Sequence, residues 1–319
     1  MKKGIIITAG AVCIVAGCVT FAQIKANEYA KTQLDSYLAK LKTQGVISQA
    51  NYQTIDVSLF GSVELTNLAL HSADLPESIT LQKVTISDFD VQHDIPHSMK
   101  VRLEGVKLPI NLQDEKFNHS GVFAEYVSNL GYTDQLPLTA EVQYQYDAQN
   151  AHTYTSSLDI GLTQLGNYHI SATTKNIPLN VLMELTANKT PNQAQIASVL
   201  QTAALPNLAI SFKDEGAVST YINISAKETG MAQQKVKARV NEVLAMQADM
   251  LLPPQLDAFK VQLLAEIESF MDGNKTLKVS INPEHQGEVN KLQPEVIAAL
   301  MKQDFANIIK LLKLEIKAS

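Results

Sequence analysis

The pattern of apolar and polar residues first separates a leader from the rest of the chain. Residues 4–24 contain no charged side chain and directly follow Lys2 and Lys3. A helix needs about 20 mostly apolar residues to cross a bilayer, and this stretch is long enough. Because the two lysines stand on its short leading side, the positive-inside rule predicts that everything after residue 24 is exported.

Three interpretations of this leader are compatible with its residues. It can remain as an uncleaved signal anchor that continues into the next helix. The run VAGC at residues 15–18 resembles a lipoprotein signal, in which a lipid on Cys18 replaces the membrane span. The run TFA at residues 20–22 offers a cleavage site for an ordinary signal peptide. We expect an inner-membrane anchor with the bulk of the chain in the periplasm, and a lipoprotein lipidated at Cys18 is the alternative.

Residues 23–44, which include most of the predicted stalk at 25–45, carry a stripe of apolar side chains at roughly helical spacing. The stripe consists of Ile24, Tyr29, Leu34, Leu38 and Leu41. Gly45 is a natural end for such a helix. The pattern therefore predicts a helical stalk that carries the exported domain and packs on it.

From residue 46 the apolar period changes to two, which indicates β-strands. Three segments repeat one spacing, with apolar residues at offsets 0, 2, 5 and 7. The extra residue in the middle reverses the apolar face unless the strand bulges or bends there. Three such strands in succession predict a curved antiparallel sheet. The twelve apolar residues of these segments, which line a candidate apolar groove, are Val63, Leu65, Leu68, Leu70, Ile79, Leu81, Val84, Ile86, Val101, Leu103, Val106 and Leu108.

The later part of the chain changes from strands to helices. Further strands are predicted at residues 138–146, 152–162, 167–174, 208–212, 277–281 and 314–316. Helices are predicted at residues 177–187, 191–204, 215–228, 231–251, 256–271, 294–300 and 305–312. The pattern predicts an α+β fold, in which an antiparallel β-rich part at 46–176 is covered by a mainly helical part at 177–319. We expect the two parts to form one unit behind the leader at 1–24.

Composition narrows the classes of function. The two cysteines, Cys13 and Cys18, lie in the leader, so the exported part has no disulfide and no thiolate for catalysis or zinc binding. The formal net charge is −6, and removing the leader lysines makes the exported part more acidic still. An acidic domain without a basic stretch argues against nucleic acid as a partner.

One local cluster combines residue types that ligate metals. The run HDIPH at residues 93–97 holds two histidines and Asp94. Because Pro96 prevents a helical i,i+4 pair of imidazoles, we interpret the run as a polar loop and predict no metal site.

Two pairs of neighbouring acids are the candidates for general acid–base chemistry. Asp88 and Asp90 are two positions apart, and Asp114 and Glu115 are adjacent. Such pairs are more commonly surface carboxylates than catalytic acids. The sequence contains no Gly-x-Ser-x-Gly elbow, no phosphate-binding glycine loop and no His-Glu-x-x-His motif. It therefore predicts no catalytic residue, no cofactor and no enzyme activity.

Two stretches resemble known families. The run VSLFGSVEL at residues 57–65, with the sheet pattern behind it, resembles the start of AsmA-like and related bacterial envelope proteins. The runs FKDEG at 212–216 and KTLKV at 275–279, followed by Pro283, resemble the C-terminal part of uncharacterised exported proteobacterial proteins. The AsmA-like resemblance implies a periplasmic β-rich groove with a role in outer-membrane or lipid homeostasis. It assigns no functional residue to this chain.

These observations lead to an expected function and its alternatives. We expect a membrane-tethered, non-enzymatic periplasmic protein that binds a lipid or an apolar segment in its curved sheet. A closed core under the helices is the competing interpretation of the twelve apolar residues. The alternative functions are an envelope scaffold that binds a protein partner through its helical half, and an envelope hydrolase.

Overall fold

The computed structural model describes residues 27–58, 62–72, 78–88, 90, 93, 96–109, 128–132, 135–179, 199, 201–273 and 275–319. The predicted span at 4–24 and Cys18 lie outside these residues, as does most of the predicted helical region at 177–204. Within the described residues, no helix combines the length and the apolar character needed to cross a membrane.

The described residues form an antiparallel sheet of eleven strands and six α-helices, which is the predicted α+β class. The helices are α1 Asn27–Thr43, α2 Ala217–Thr229, α3 Gln233–Leu251, α4 Asp257–Met271, α5 Val289–Met301 and α6 Phe305–Leu312, with short 3-10 turns at Pro254–Leu256 and Glu284–Gly287. The strands are β1 Gln49–Asn51, β2 Thr54–Val57, β3 Val63–His71, β4 Ile79–Ser87, β5 Ser98–Pro109, β6 Gln135–Asp147, β7 Thr153–Leu162, β8 Gly166–Lys175, β9 Ala204–Asp214, β10 Thr276–Ile281 and β11 Leu314–Ala318.

The strand order is β1-β3-β4-β5-β6-β7-β8-β9-β10-β11, and β2 also pairs with β3. Neighbours in this order are neighbours in the chain from β3 onward, so the sheet is a long meander. Short connections join β3 to β4, β4 to β5, β6 to β7 and β7 to β8, so these strands pair with their chain neighbours as hairpins. Helices α2–α4 lie between β9 and β10, and helices α5 and α6 lie between β10 and β11. The sheet is open, with β1 and β11 at its two ends.

The extra residue was predicted in β3, β4 and β5. A local distortion is present in β3 and β5, whereas β4 has no positive φ and keeps one register with β3 and with β5. Asn67 in β3 and Gly105 in β5 have positive φ values of 50° and 59°. Between Leu103 and Val106 the pairing of β5 with β6 also shifts register. A single residue in this left-handed conformation changes the alternation of side chains, so apolar residues on both halves of the strand are buried.

The chain forms two compact units. As far as the described residues extend, the first contains residues up to 149 with 156–163 and 178–191. The second contains residues 150–155, 164–177 and 192–319. This division passes through β7.

Each unit has its own buried apolar side chains. In the first unit they come mainly from β3, β4 and β5, and Val101 is only 1% exposed. Leu34 and Leu41 of α1 are also buried, so this helix packs through its predicted apolar stripe. In the second unit, Ile222 of α2 and Leu311 of α6 are among the buried residues.

Two element boundaries differ from the prediction because of proline. Strand β9 begins at Ala204 and runs past Pro206, whereas the sequence pattern predicted a strand only from residue 208. The pairing of β8 with β9 shifts register between Thr173 and Lys175, and such an irregularity accommodates a residue that has no N–H. Helix α5 begins at Val289 and contains Pro294, which was predicted to be its first residue.

Candidate functional site

The twelve apolar residues of the candidate groove are mainly in a packed core. Ten of them are between 1% and 7% exposed. Ile79 is half-buried, and the side chain of Leu108 lies outside the described residues. Side chains covered to this degree offer no accessible lining to a ligand. The burial therefore matches the competing interpretation, a closed core.

Exposed apolar side chains occur instead in the second unit, on one face of β8, β9 and β10. Ile170 stands opposite Ile210, and Ile210 stands opposite Val279. Residues directly opposite each other lie on the same face of a sheet. Ile210 is 47% exposed and Val279 is 37% exposed.

Aromatic side chains extend this apolar face further along the strands. The ring centroids of Tyr168 and Phe212 are 4.7 Å apart, and Phe270 of α4 lies 6.1 Å from Phe212. Tyr168 is 42% exposed. We name this surface the β8–β10 face and define it by residues Tyr168, Ile170, Ile210, Phe212, Leu277 and Val279.

A second apolar surface lies between helices α2 and α3. It is a groove of about 350 Å³ lined by Tyr221, Ser225, Thr229, Met231, Val236, Arg239, Val240, Val243 and Leu244, and we name it the α2–α3 groove. The helical spacing of apolar residues in α3 predicts a buried face that consists of Val236, Val240, Val243, Leu244 and Leu251. Val236 is buried, but Val243 is 41% exposed, so the predicted buried face is partly open.

The apolar surface of α3 continues beyond the groove. Met246 is 57% exposed and Met250 is 79% exposed. Val243, Met246 and Met250 are spaced at i, i+3 and i+7, which places them on neighbouring turns of one helix face. Exposed apolar side chains clustered in this way are typical of interaction sites.

Lys260 makes two ionic contacts at the turn between α3 and α4, which follows Met250. The ammonium of Lys260 on α4 donates to Asp249 at 2.7 Å and to Asp257 at 2.9 Å. The bond to Asp249 and then the bond to Asp257 raise the pKa of Lys260. Lys260 therefore remains a cation and ties the end of α3 to the start of α4.

A polar cluster in the first unit brings together residues that the sequence analysis separated. Asp90, His93 and His97 each offer a ligand atom, and these three atoms lie within 4.8 Å of one another. His93 Nδ1 shares a short hydrogen bond with Asp90 Oδ2. The rings of His93 and His97 stack with centroids 3.7 Å apart and planes 14° from parallel.

Backbone contacts hold this cluster in place. The N–H of His97 donates to Asp90 Oδ2 at 3.2 Å, and the N–H of Asp90 donates to the carbonyl of Ser98 at 3.1 Å. The Tyr146 ring meets the His97 ring edge-on, with centroids 5.2 Å apart. The hydroxyl of Tyr144 donates to the carbonyl of Pro96 at 3.0 Å.

The structure places the other sequence candidates as follows. Asp88, which forms a candidate acid pair with Asp90 and is interpreted as a surface carboxylate, is exposed. Its backbone carbonyl accepts a 2.8 Å hydrogen bond from Ser98 Oγ. Asp94, Asp114 and Glu115 lie outside the described residues. The sequence analysis missed the pairing of Asp90 with the histidines, because Asp90 and His93, three positions apart, belong to no helix or strand that would predict their contact.

Comparison with known proteins identifies a family for the C-terminal half of the chain. A family model described as "Uncharacterized protein" matches residues 159–319, just over half of the chain. No curated protein and no solved structure matches the chain.

Proposed function

Because the chain belongs to this family of uncharacterised proteins through residues 159–319, we propose its function from the surfaces of that part. The protein is a non-enzymatic scaffold that binds an apolar helix of a partner protein in the α2–α3 groove. The observation that carries this proposal is the exposure of Val243, Met246 and Met250 beside the groove.

The shape of the groove supports a helix as its occupant. Helix-in-groove binding places the apolar side chains of one helix between two others, at spacings of three and four residues. The groove volume of about 350 Å³ is enough for a few anchoring side chains, and Met246 and Met250 extend the contact along α3. Methionine is flexible and polarizable, so it adapts to the shape of a partner.

The charged residue of the groove indicates which kind of residue the partner contributes. Among the residues that line the groove, Arg239 is the one with a charged side chain. The acidic partner residue that pairs with it would stand beside the apolar anchors. We therefore propose an amphipathic helix with an acidic residue next to its apolar stripe.

The proposal also covers where the protein is located and the curvature of its sheet. The uncharged residues 4–24 behind Lys2 and Lys3 support a tether in the inner membrane with the bulk of the chain in the periplasm. The positive φ values of Asn67 and Gly105 support a curved sheet, because bulges bend strands. We also propose that helices cover the sheet and that the protein has a role in the cell envelope like that of AsmA-like proteins.

Photo-crosslinking in intact cells tests the proposal. A photoreactive amino acid replaces Met246 or Met250 in the full chain, and the same amino acid at Gln234 is the control. Gln234 is exposed on α3 but does not line the groove. We expect a discrete protein adduct at Met246 and Met250, absent at Gln234 and lost in Val243→Asp.

The identity of the crosslinked peptide decides the outcome. Mass spectrometry of the adduct should show an amphipathic helical segment with an acidic residue beside its apolar positions. Adducts of equal yield at all three positions, or adducts to lipid alone, would contradict the proposal.

A second candidate function is the binding of a lipid or an apolar segment on the β8–β10 face. The exposure of Ile210 and Val279 favours it, because both lie on one apolar surface of the sheet. Fluorescent fatty acid added to the detergent-solubilised full chain tests this candidate. Binding should fall in Ile210→Glu and should be unchanged in Lys278→Glu, since Lys278 is exposed on the opposite face of β10.

A further inference from the structure

We propose that Asp90, His93 and His97 form a binding site for a zinc ion. The cluster lies in the first unit, whereas both apolar surfaces lie in the second. The proposal therefore rests on residues that belong to neither apolar surface.

The donor set suits zinc. Two imidazole nitrogens and one carboxylate oxygen are common zinc ligands, and three protein ligands leave a fourth position for water or another ligand. Zinc bonds of about 2.0–2.1 Å place neighbouring ligand atoms about 3.3 Å apart in a tetrahedral site. The ligand atoms of the cluster lie within 4.8 Å of one another, so they need to approach by roughly 1.5 Å at most.

One ring must turn for the site to close. The imidazole lone pairs lie in the ring planes, and the two rings are 14° from parallel, so their lone pairs do not converge on one point. His93 is the ring that can move, because its side chain is 50% exposed. Zinc binding then replaces the direct hydrogen bond between His93 and Asp90.

The other two ligands are held in advance. The Asp90 side chain is 15% exposed and already accepts the N–H of His97, which joins the two ligands through the loop itself. The Tyr146 ring rests against His97, and the N–H of Tyr146 donates to the His97 carbonyl at 2.6 Å. Such contacts around the ligands orient them and raise the affinity for a metal.

Zinc titration of the untagged full chain in detergent tests the site, with a chromogenic chelator as competitor. We expect one zinc ion per chain in the wild type. Asp90→Ala, His93→Ala and His97→Ala should each weaken zinc binding by at least about tenfold. His71→Ala is the matched control, because His71 is exposed in the same unit and outside the cluster. It should bind zinc as the wild type does.

Cobalt absorption is a second measurement. It reports metal binding directly and would not change if the cluster only stabilised the fold. Co²⁺ in the wild type should give the visible absorption of a four-coordinate site, and His93→Ala should remove it. Because His93 is half exposed, this variant should keep the wild-type unfolding midpoint in the absence of metal. The absence of stoichiometric zinc binding, or equal affinity in His71→Ala and His97→Ala, would overturn the proposal.

Discussion

Gly105 gives the sharpest test of how the sequence builds the sheet. It sits at the distortion of β5 with a φ of 59°, a conformation that residues with a Cβ atom rarely adopt. A Cβ atom placed there would overlap the side chain of Gln82 on the neighbouring strand. Gly105→Ala therefore adds backbone strain and a steric conflict at one position.

The two costs can be estimated separately. A left-handed conformation costs an alanine about 1–2 kcal/mol. Displacing the Gln82 side chain adds roughly 1 kcal/mol, because its far end is flexible and can move aside. We expect Gly105→Ala to lower the free energy of unfolding by about 2–3 kcal/mol. With a denaturant slope of about 2–3 kcal/mol per molar, the urea midpoint of the first unit falls by roughly 1 M.

Urea unfolding of the full chain, followed by circular dichroism, measures this shift. Gly105→Ala combined with Gln82→Ala should recover the steric part and leave the backbone part of about 1–2 kcal/mol. Asn67→Gly is the matched control in β3, where φ is 50°, since glycine adopts that conformation without strain. An unchanged midpoint in Gly105→Ala would refute the account of the distortion given above.

Two further predictions concern the first unit. Desolvation, and then the hydrogen bond to Asp35 at 2.8 Å, raise the pKa of Tyr52 from 10.0 to about 12, so the neutral phenol is favoured in the folded state. Its stabilisation is fully present below pH 10 and is lost as the pH rises towards 12. Tyr52→Phe should cost about 1 kcal/mol at neutral pH after allowance for solvent screening. An ordinary tyrosine titration of the folded protein, followed by phenolate absorbance, would contradict this assignment. Leu81→Ala, at a side chain 2% exposed, should cost about 2–5 kcal/mol in thermal or urea unfolding. Val261→Ala, at a side chain 65% exposed, should stay within about 0.5 kcal/mol, and equal effects of the two variants would refute the burial of Leu81.

The helices and strands were predictable because the spacing of apolar residues in the sequence differs between the two kinds of element. The alternation at residues 138–146 lies within β6 Gln135–Asp147, and the pattern at 305–312 is helix α6. The spacing of 0, 2, 5 and 7 located the distortion of β3 and β5, because an odd gap in an alternating strand needs one residue out of register. Such patterns depend on residues that are close in the chain. They do not show which distant residues bury a given side chain.

For that reason the sequence did not show which apolar residues are accessible. The groups at β3–β5 and at α3 both show clean periodicity, yet the first is buried and part of the second is exposed. A helix face that packs on its own domain and one that packs on a partner have the same pattern. The contact of Asp90 with His93 is hidden for a related reason, since it depends on the path of a loop.

The location of the two candidate sites makes each a control for the other. The α2–α3 groove lies in the second unit and within residues 159–319, whereas Asp90, His93 and His97 lie in the first unit and outside that range. His97→Ala should therefore leave crosslinking at Met246 intact, and Val243→Asp should leave zinc binding intact. If either variant removes both activities, the loss reflects unfolding of the chain and not a missing contact. If each variant removes one activity alone, the two sites act independently, and the zinc site is not a structural support for the groove.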